Sequence, residues 1–193
     1  MQITQKSLHT FILKFKSSDV VINPATAIKD SISIYSRESD KHTIKQDESI
    51  MLIHAAGEYE AEDIFIHGKK VAGSDTIVYT IEAENINIGV INLVNDKDKI
   101  PEDFFTESDI VLIGIGGENF DVKTAEEVSQ KLTPKMSILF GLEEQGSDKS
   151  DSSISMSKLE QELPAAKKIE KTLKITDEDL DRIDNTEIHY FEI

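Results

Sequence analysis

Ile32-Ser33-Ile34-Tyr35-Ser36-Arg37-Glu38-Ser39-Asp40-Lys41-His42 joins a short β-rich apolar run to a turn crowded with ionisable side chains. A strand that delivers a polar loop is a common way for a fold to present chemistry. On both sides of it the chain reads as short strands. Phe11-Ile12-Leu13 and Val20-Val21-Ile22 are apolar runs around a turn at 14–19, and Asn23-Pro24 ends the second. Ser49 to Ile53 is the next strand, Gly57-Glu58-Tyr59-Glu60 reads as a turn, and Ile64 to Gly68 follows. Asp75 to Glu82 alternates polar and apolar residues as a half-buried strand should. Glu84-Asn85 is a hairpin signal before the return strand Ile86 to Ile91.

The pattern then changes. Pro101 to Phe105 reads as a short helix, and Ser108 to Ile115 as a buried strand ending at Gly116-Gly117. Val122, Ala125, Val128 and Leu132 recur at helical spacing opposite Glu126 and Glu127, and Pro134 stops that helix. Met136 to Gly141 is a further strand. Residues 144–157 are rich in Ser, Asp and Gly and carry no apolar period, so an exposed, mobile loop is expected there. A helix over Ser157 to Glu162, a strand at Leu173 to Ile175, a cap at Thr176 to Asp179 with Leu180 closing onto the core, and a terminal strand from Glu187 complete the chain. This order predicts one domain over 1–193, a two-sheet α+β sandwich flanked by helices rather than a doubly wound parallel sheet.

Composition bounds the function. The 193 residues carry a net charge of -16, with a pI near 4.6. Such a surface repels nucleic acid and anionic membrane. There is no cysteine, which excludes disulfides, thiolate zinc sites and a cysteine nucleophile. The first residues show no basic flank before an apolar core, and no apolar run reaches a membrane-span length, so a cytoplasmic protein is expected. Gly114, Gly116 and Gly117 do not fit a phosphate-loop spacing, and no Gly-x-Ser-x-Gly elbow is present.

Taken in order, these segments resemble the metallo-β-lactamase fold, an αββα four-layer sandwich, in a small, compact branch of zinc-dependent hydrolases related to the ascorbate-phosphate lactonases. The resemblance rests on Ile3-Thr4 with Phe11 to Leu13 and Val21-Ile22-Asn23-Pro24, on Gly57-Glu58-Tyr59-Glu60 followed by Ile66-His67-Gly68, and on Asp109 to Gly117. The 125–134 helix, Leu173-Lys174-Ile175 and the last strand fit too. It spans nearly the whole chain. It implies a His-x-His-x-Asp-His loop, a later histidine, a bridging aspartate and a final histidine around two zinc ions.

The departures decide the functional reading. Aligned without gaps, the loop places Arg37 at the first ligand, Lys41 at the aspartate and His42 at the last histidine; Asp40 and His42 are the vestigial metal candidates. Val90, Leu93 and Phe140 fall where later ligands would be, Asn23 stands where an aspartate precedes Pro24, and His9 lies one place off its expected position. The leading expectation is therefore an inactive metallo-β-lactamase-like protein with a binding or structural role, no metal, and a second copy or another protein as partner. One alternative is a zinc hydrolase rebuilt on Asp40, His42, Glu58 and His54 or His67. Another is a metal-free binder of small anions. The candidate pocket is Arg37, Glu38, Lys41, Glu58, Tyr59, Gly116 and Gly117. His54, His67 and His189 read individually as rim or packing histidines.

Overall fold

The computed structural model describes residues 1–26, 28–38, 49–116, 120–143 and 154–191. Its strands are β1 (Gln2–Ser7), β2 (Thr10–Lys14), β3 (Asp19–Ile22), β4 (Ser31–Ile34), β5 (Met51–Ile53), β6 (Gly57–Ala61), β7 (Ile64–Lys70), β8 (Ile77–Ala83), β9 (Ile86–Ile91), β10 (Ile110–Gly114), β11 (Met136–Phe140), β12 (Leu142–Glu143), β13 (Ile154–Ser155), β14 (Lys167–Ile169), β15 (Thr172–Lys174) and β16 (Glu187–Phe191). The helices are α1 (Val122–Leu132), α2 (Met156–Glu162) and α3 (Asp177–Asp181).

Two mixed sheets face each other. The smaller runs β15-β1-β2-β3-β4-β5 and the larger β14-β16-β11-β10-β9-β8-β7-β6. Their facing sides supply one apolar core, with Ile3, Phe11, Leu13, Ile32 and Ile34 from the smaller sheet against Ile66, Tyr79, Ile88, Leu112 and Phe140 from the larger. The period of two explains the split. On the larger sheet Val78, Ile91, Val111, Ile113 and Leu139 point the other way, into a second cluster shared with α1 and α2. β9, β10, β11 and β16 are parallel neighbours, and the first three are buried on both faces, hence their apolar runs rich in Val, Ile and Leu. The architecture is the α+β sandwich expected, with a helical layer on the larger sheet and Leu180 of α3 in the inter-sheet core.

Two connections between the sheets are short, while the third, from β15 to β16, runs through α3. Residues 54–56 join β5 to β6, each the last strand of its sheet. Residues 170–171 join β14 to β15, which end the two sheets on the other side.

α1 matches its expected limits. The Asp121 carboxylate accepts from Thr124 N–H at 2.8 Å, which holds that carboxyl below the usual range, and Thr133 ends the helix in left-handed geometry before Pro134. A buried Ser129–Ser137 hydroxyl contact of 2.7 Å fixes it to β11. Several expectations shift. β1, which the polar/apolar pattern of the first six residues suggests, runs on to Ser7, with only Ile3 of its six residues buried. Gly57 to Glu60 is strand, not turn: the reversal lies at Glu62–Asp63, both left-handed, as are Glu84–Asn85 in the expected hairpin. The 101–105 helix is one 3₁₀ turn. Of the loop expected over 144–157, 144–153 lies outside the described residues; Ile154–Ser155 pairs with β12, and Ser157 belongs to α2.

Candidate functional site

The carboxyl ends of β4, β9, β10 and β11 meet at one end of the sandwich, with the β1–β2 turn carrying His9 beside them. Asn23 assembles this end. It sits in left-handed geometry (φ 47°), which asparagine tolerates better than most residues. Its Oδ1 accepts from Ser36 N–H at 2.7 Å, and its Nδ2 donates to Ser36 Oγ at 3.0 Å and to the His9 carbonyl at 3.4 Å. Thr10 Oγ1 donates to the Asn23 carbonyl at 2.8 Å. One amide thus ties the β1–β2 turn, the end of β3 and the end of β4 together. An aspartate could not make the two donor bonds, which accounts for asparagine before Pro24.

Tyr79, fully buried, donates to the Tyr35 carbonyl at 2.7 Å, and burial pushes its phenol pKa well up, so it remains a donor. Arg37 then bridges to Thr76, and Thr76 Oγ1 donates to the Leu93 carbonyl at 3.2 Å. These contacts fix the polar segment after β4 against the turn after β9.

Asn92 lies at the centre, one residue beyond β9 and 0% exposed. At ordinary hydrogen-bond geometry neither its Oδ1 nor its Nδ2 has a partner, nor does the buried His9 Nδ1, yet the Asn92 amide and the His9 imidazole stand close enough to act on each other. Burial lowers the His9 pKa, the neighbouring Asn92 amide partly opposes this, and the Arg37 charge lowers it further. Phe140 closes the space. Its ring is 1% exposed, stands edge-on to Phe11 at 4.9 Å and to His9 at 6.1 Å, and fits only because residue 114 is glycine. A Cβ at Gly114 would stand 2.7 Å from Asn92 Oδ1 and 3.0 Å from the Phe140 ring. Gly141 permits an equally close approach, since a Cβ there would meet the Ile115 carbonyl oxygen at 2.2 Å.

The candidate pocket residues are distributed. Arg37 and Glu38 lie at this end, Glu38 paired with Lys70 at 2.5 Å. Gly116 follows β10 with φ 124°, its N–H donating to the Phe120 carbonyl at 2.8 Å. Asp40, Lys41, His42 and Gly117 lie outside the described residues. Tyr59 points inward and donates to the Ala55 carbonyl at 3.0 Å. Glu58 faces the other side of β6, opposite His67 in β7. Along β8, the partner of His67 is Thr80, four residues from Thr76, so Glu58 and His67 stand about 13 Å of strand away from Arg37. His54 lies in the 54–56 link, and His189 in β16 contacts Glu187 at 3.0 Å.

Among the described residues the donor chemistry here does not suit a dinuclear zinc centre: a guanidinium offers no lone pair, Phe140 and Leu93 offer none, a neutral amide is a poor ligand, and His9 is the one imidazole they place at this end. Among the described residues no group of three or more His, Asp or Glu is placed to hold a metal ion. Sequence reasoning missed Asn92 and gave His9 little weight. The available signal was a lone amide directly after the apolar run Ile88-Gly89-Val90-Ile91.

No protein-family model matches the chain, and no curated protein matches it. Solved structures do. A candidate Zn-dependent hydrolase of the metallo-β-lactamase superfamily from Thermotoga maritima superposes with a TM-score of 0.76 at 17% identity, over 100% of both chains. The metallo-β-lactamase fold protein YhfI of Bacillus subtilis gives 0.58 at 7% identity, over 98% of this chain and 95% of its own. A candidate metal-dependent hydrolase from Veillonella parvula gives 0.56 at 12% identity, over 84% and 92%. Sheet order, core and superposition agree: this chain has the metallo-β-lactamase fold.

Proposed function

We propose that this protein is a catalytically inactive member of the metallo-β-lactamase fold with a binding or structural role. The observation that carries the reading is the end of the sandwich itself. Where the strand ends of this fold present metal ligands in its hydrolases, the described side chains here are Arg37, Asn92 and Phe140, with His9 beside them. A cation, an amide and a packed aromatic ring do not bind and activate a hydroxide. The aromatic plug and the close glycine contacts at 114 and 141 support a structural use of the space that a substrate would need.

Elemental analysis of protein purified without chelators tests this directly. Less than a tenth of a zinc, iron or manganese ion per chain is expected, and no gain of hydrolase activity on adding them. A stoichiometric metal, or metal-dependent hydrolysis of a phosphodiester or lactone, overturns the reading in favour of a site rebuilt on residues such as Asp40 and His42.

A further inference from the structure

The outer face of the larger sheet carries an open groove of about 520 Å³, floored by β6 to β9 and walled by the 102–108 segment. Its apolar surface is aromatic. Phe65 is 48% exposed, and Phe104 forms the facing wall. Around these rings stand Glu58, Glu82, Asp103 and Glu107. None of these four carboxylates has an ion pair among the described residues, whereas many other acids of the chain are paired.

The groove also displays the chemistry it would accept. Lys69 places its ammonium 5.5 Å over the Phe104 ring, and His67 stands edge-on to the same ring at 4.7 Å. A cationic side chain on an aromatic face is therefore a contact this wall already makes. β6 ends the sheet, and among the described residues no strand lies beyond Glu58 on that side.

We propose that this groove docks a peptide segment of another protein carrying lysine or arginine next to apolar residues. The aliphatic stems would lie on Phe65 and Phe104, and the charged ends would meet Glu58, Glu82, Asp103 and Glu107. Charge selects this occupant over a second copy of the chain, because a copy brings a net charge of -16 and its own carboxylates to a face already rich in them. The end of the sandwich plays no part, so metal analysis and groove binding fail or succeed independently.

The test is selection from a displayed library of random dodecapeptides on the full chain, followed by fluorescence polarisation of enriched peptides against wild type, Phe65→Ser and the double variant Glu58→Lys/Glu82→Lys. All three substitutions lie on exposed or half-buried positions, and circular dichroism with thermal melting checks that each variant is folded. Enriched sequences rich in Lys or Arg interleaved with apolar residues are expected, binding at least tenfold more weakly to each variant and losing affinity with added salt. Enrichment without basic residues, no enrichment, or equal binding to wild type and variants overturns the proposal. Spermidine displacing the peptides as well as they displace one another would replace it with a small-polycation site, and a dimer by sedimentation that Phe65→Ser dissolves would replace it with self-association.

Discussion

The end of the sandwich and the groove on its larger sheet are opposites. At the end, polar side chains are buried without partners at ordinary hydrogen-bond geometry and an aromatic ring fills the space around them. In the groove, Phe65 is exposed, Phe104 is half-buried, and the four carboxylates around them are solvated and, among the described residues, without ion pairs. The buried arrangement costs stability and offers little access; the open one costs little and is available for contact. The difference teaches where each kind of experiment belongs: packing and stability are read at the end of the sandwich, and the proposed docking is read in the groove.

The comparison can be broken most forcefully at Phe140. Phe140→Ala should destabilise the protein by about 3–5 kcal/mol in urea unfolding, because the ring is buried among Phe11, His9 and Gly114. A loss below about 1 kcal/mol would mean that the end is loosely packed and accessible after all. Asn23→Ala should cost about 1–3 kcal/mol, through the unpaired Ser36 N–H and the lost donor bonds, read in the same assay. Asn92→Leu should be neutral or stabilising by about 1 kcal/mol, since it replaces a buried amide whose only neighbouring polar group is the weakly engaged His9 ring with an apolar side chain of similar size. Clear destabilisation would show that Asn92 satisfies a partner essential to the fold.

A smaller effect lies in pH. His9 and His189 are held below the ordinary histidine value of 6.5, chiefly by burial. The unfolded chain therefore binds more protons than the folded one below that value. Stability should be full above about pH 6.5 and should be lost as pH falls through the window between the unfolded and folded values. His9→Asn should flatten part of that slope in unfolding curves taken at successive pH values. On the open side, Phe65→Ser should change stability by no more than about 0.5 kcal/mol.

Much of the fold was legible. The β10, α1 and β11 run is apolar in the right periods, and the Glu84–Asn85 hairpin and the Thr176–Asp179 capping box carry their own turn chemistry. β1 showed itself in the polar/apolar pattern of the first residues, whereas β6 was hidden because a glycine at φ 148° resembles a turn in sequence yet serves here as strand backbone beside the Tyr59 ring. The site was legible only as a set of departures. Arg37 and Phe140 announce that ligands are replaced, but the meeting of His9, Asn23 and Asn92 depends on three strand ends distant in sequence, which no local pattern encodes. The groove was illegible for the same reason: Phe65 and Phe104 are 39 positions apart and face one another only through sheet packing.

The short links at 54–56 and 170–171 have a mechanical consequence. Each joins the outermost strand of one sheet to the outermost strand of the other, so the sandwich is laced along both long sides into a flattened tube. The two layers cannot peel apart like a book, because neither side has a free spine. Among the described residues, the end of the tube at the carboxyl ends of β9 to β11 is stoppered by Phe140. A single proteolytic cut at 170–171 would open the tighter of the two links on that side, while residues 175–186 would still tie β15 to β16.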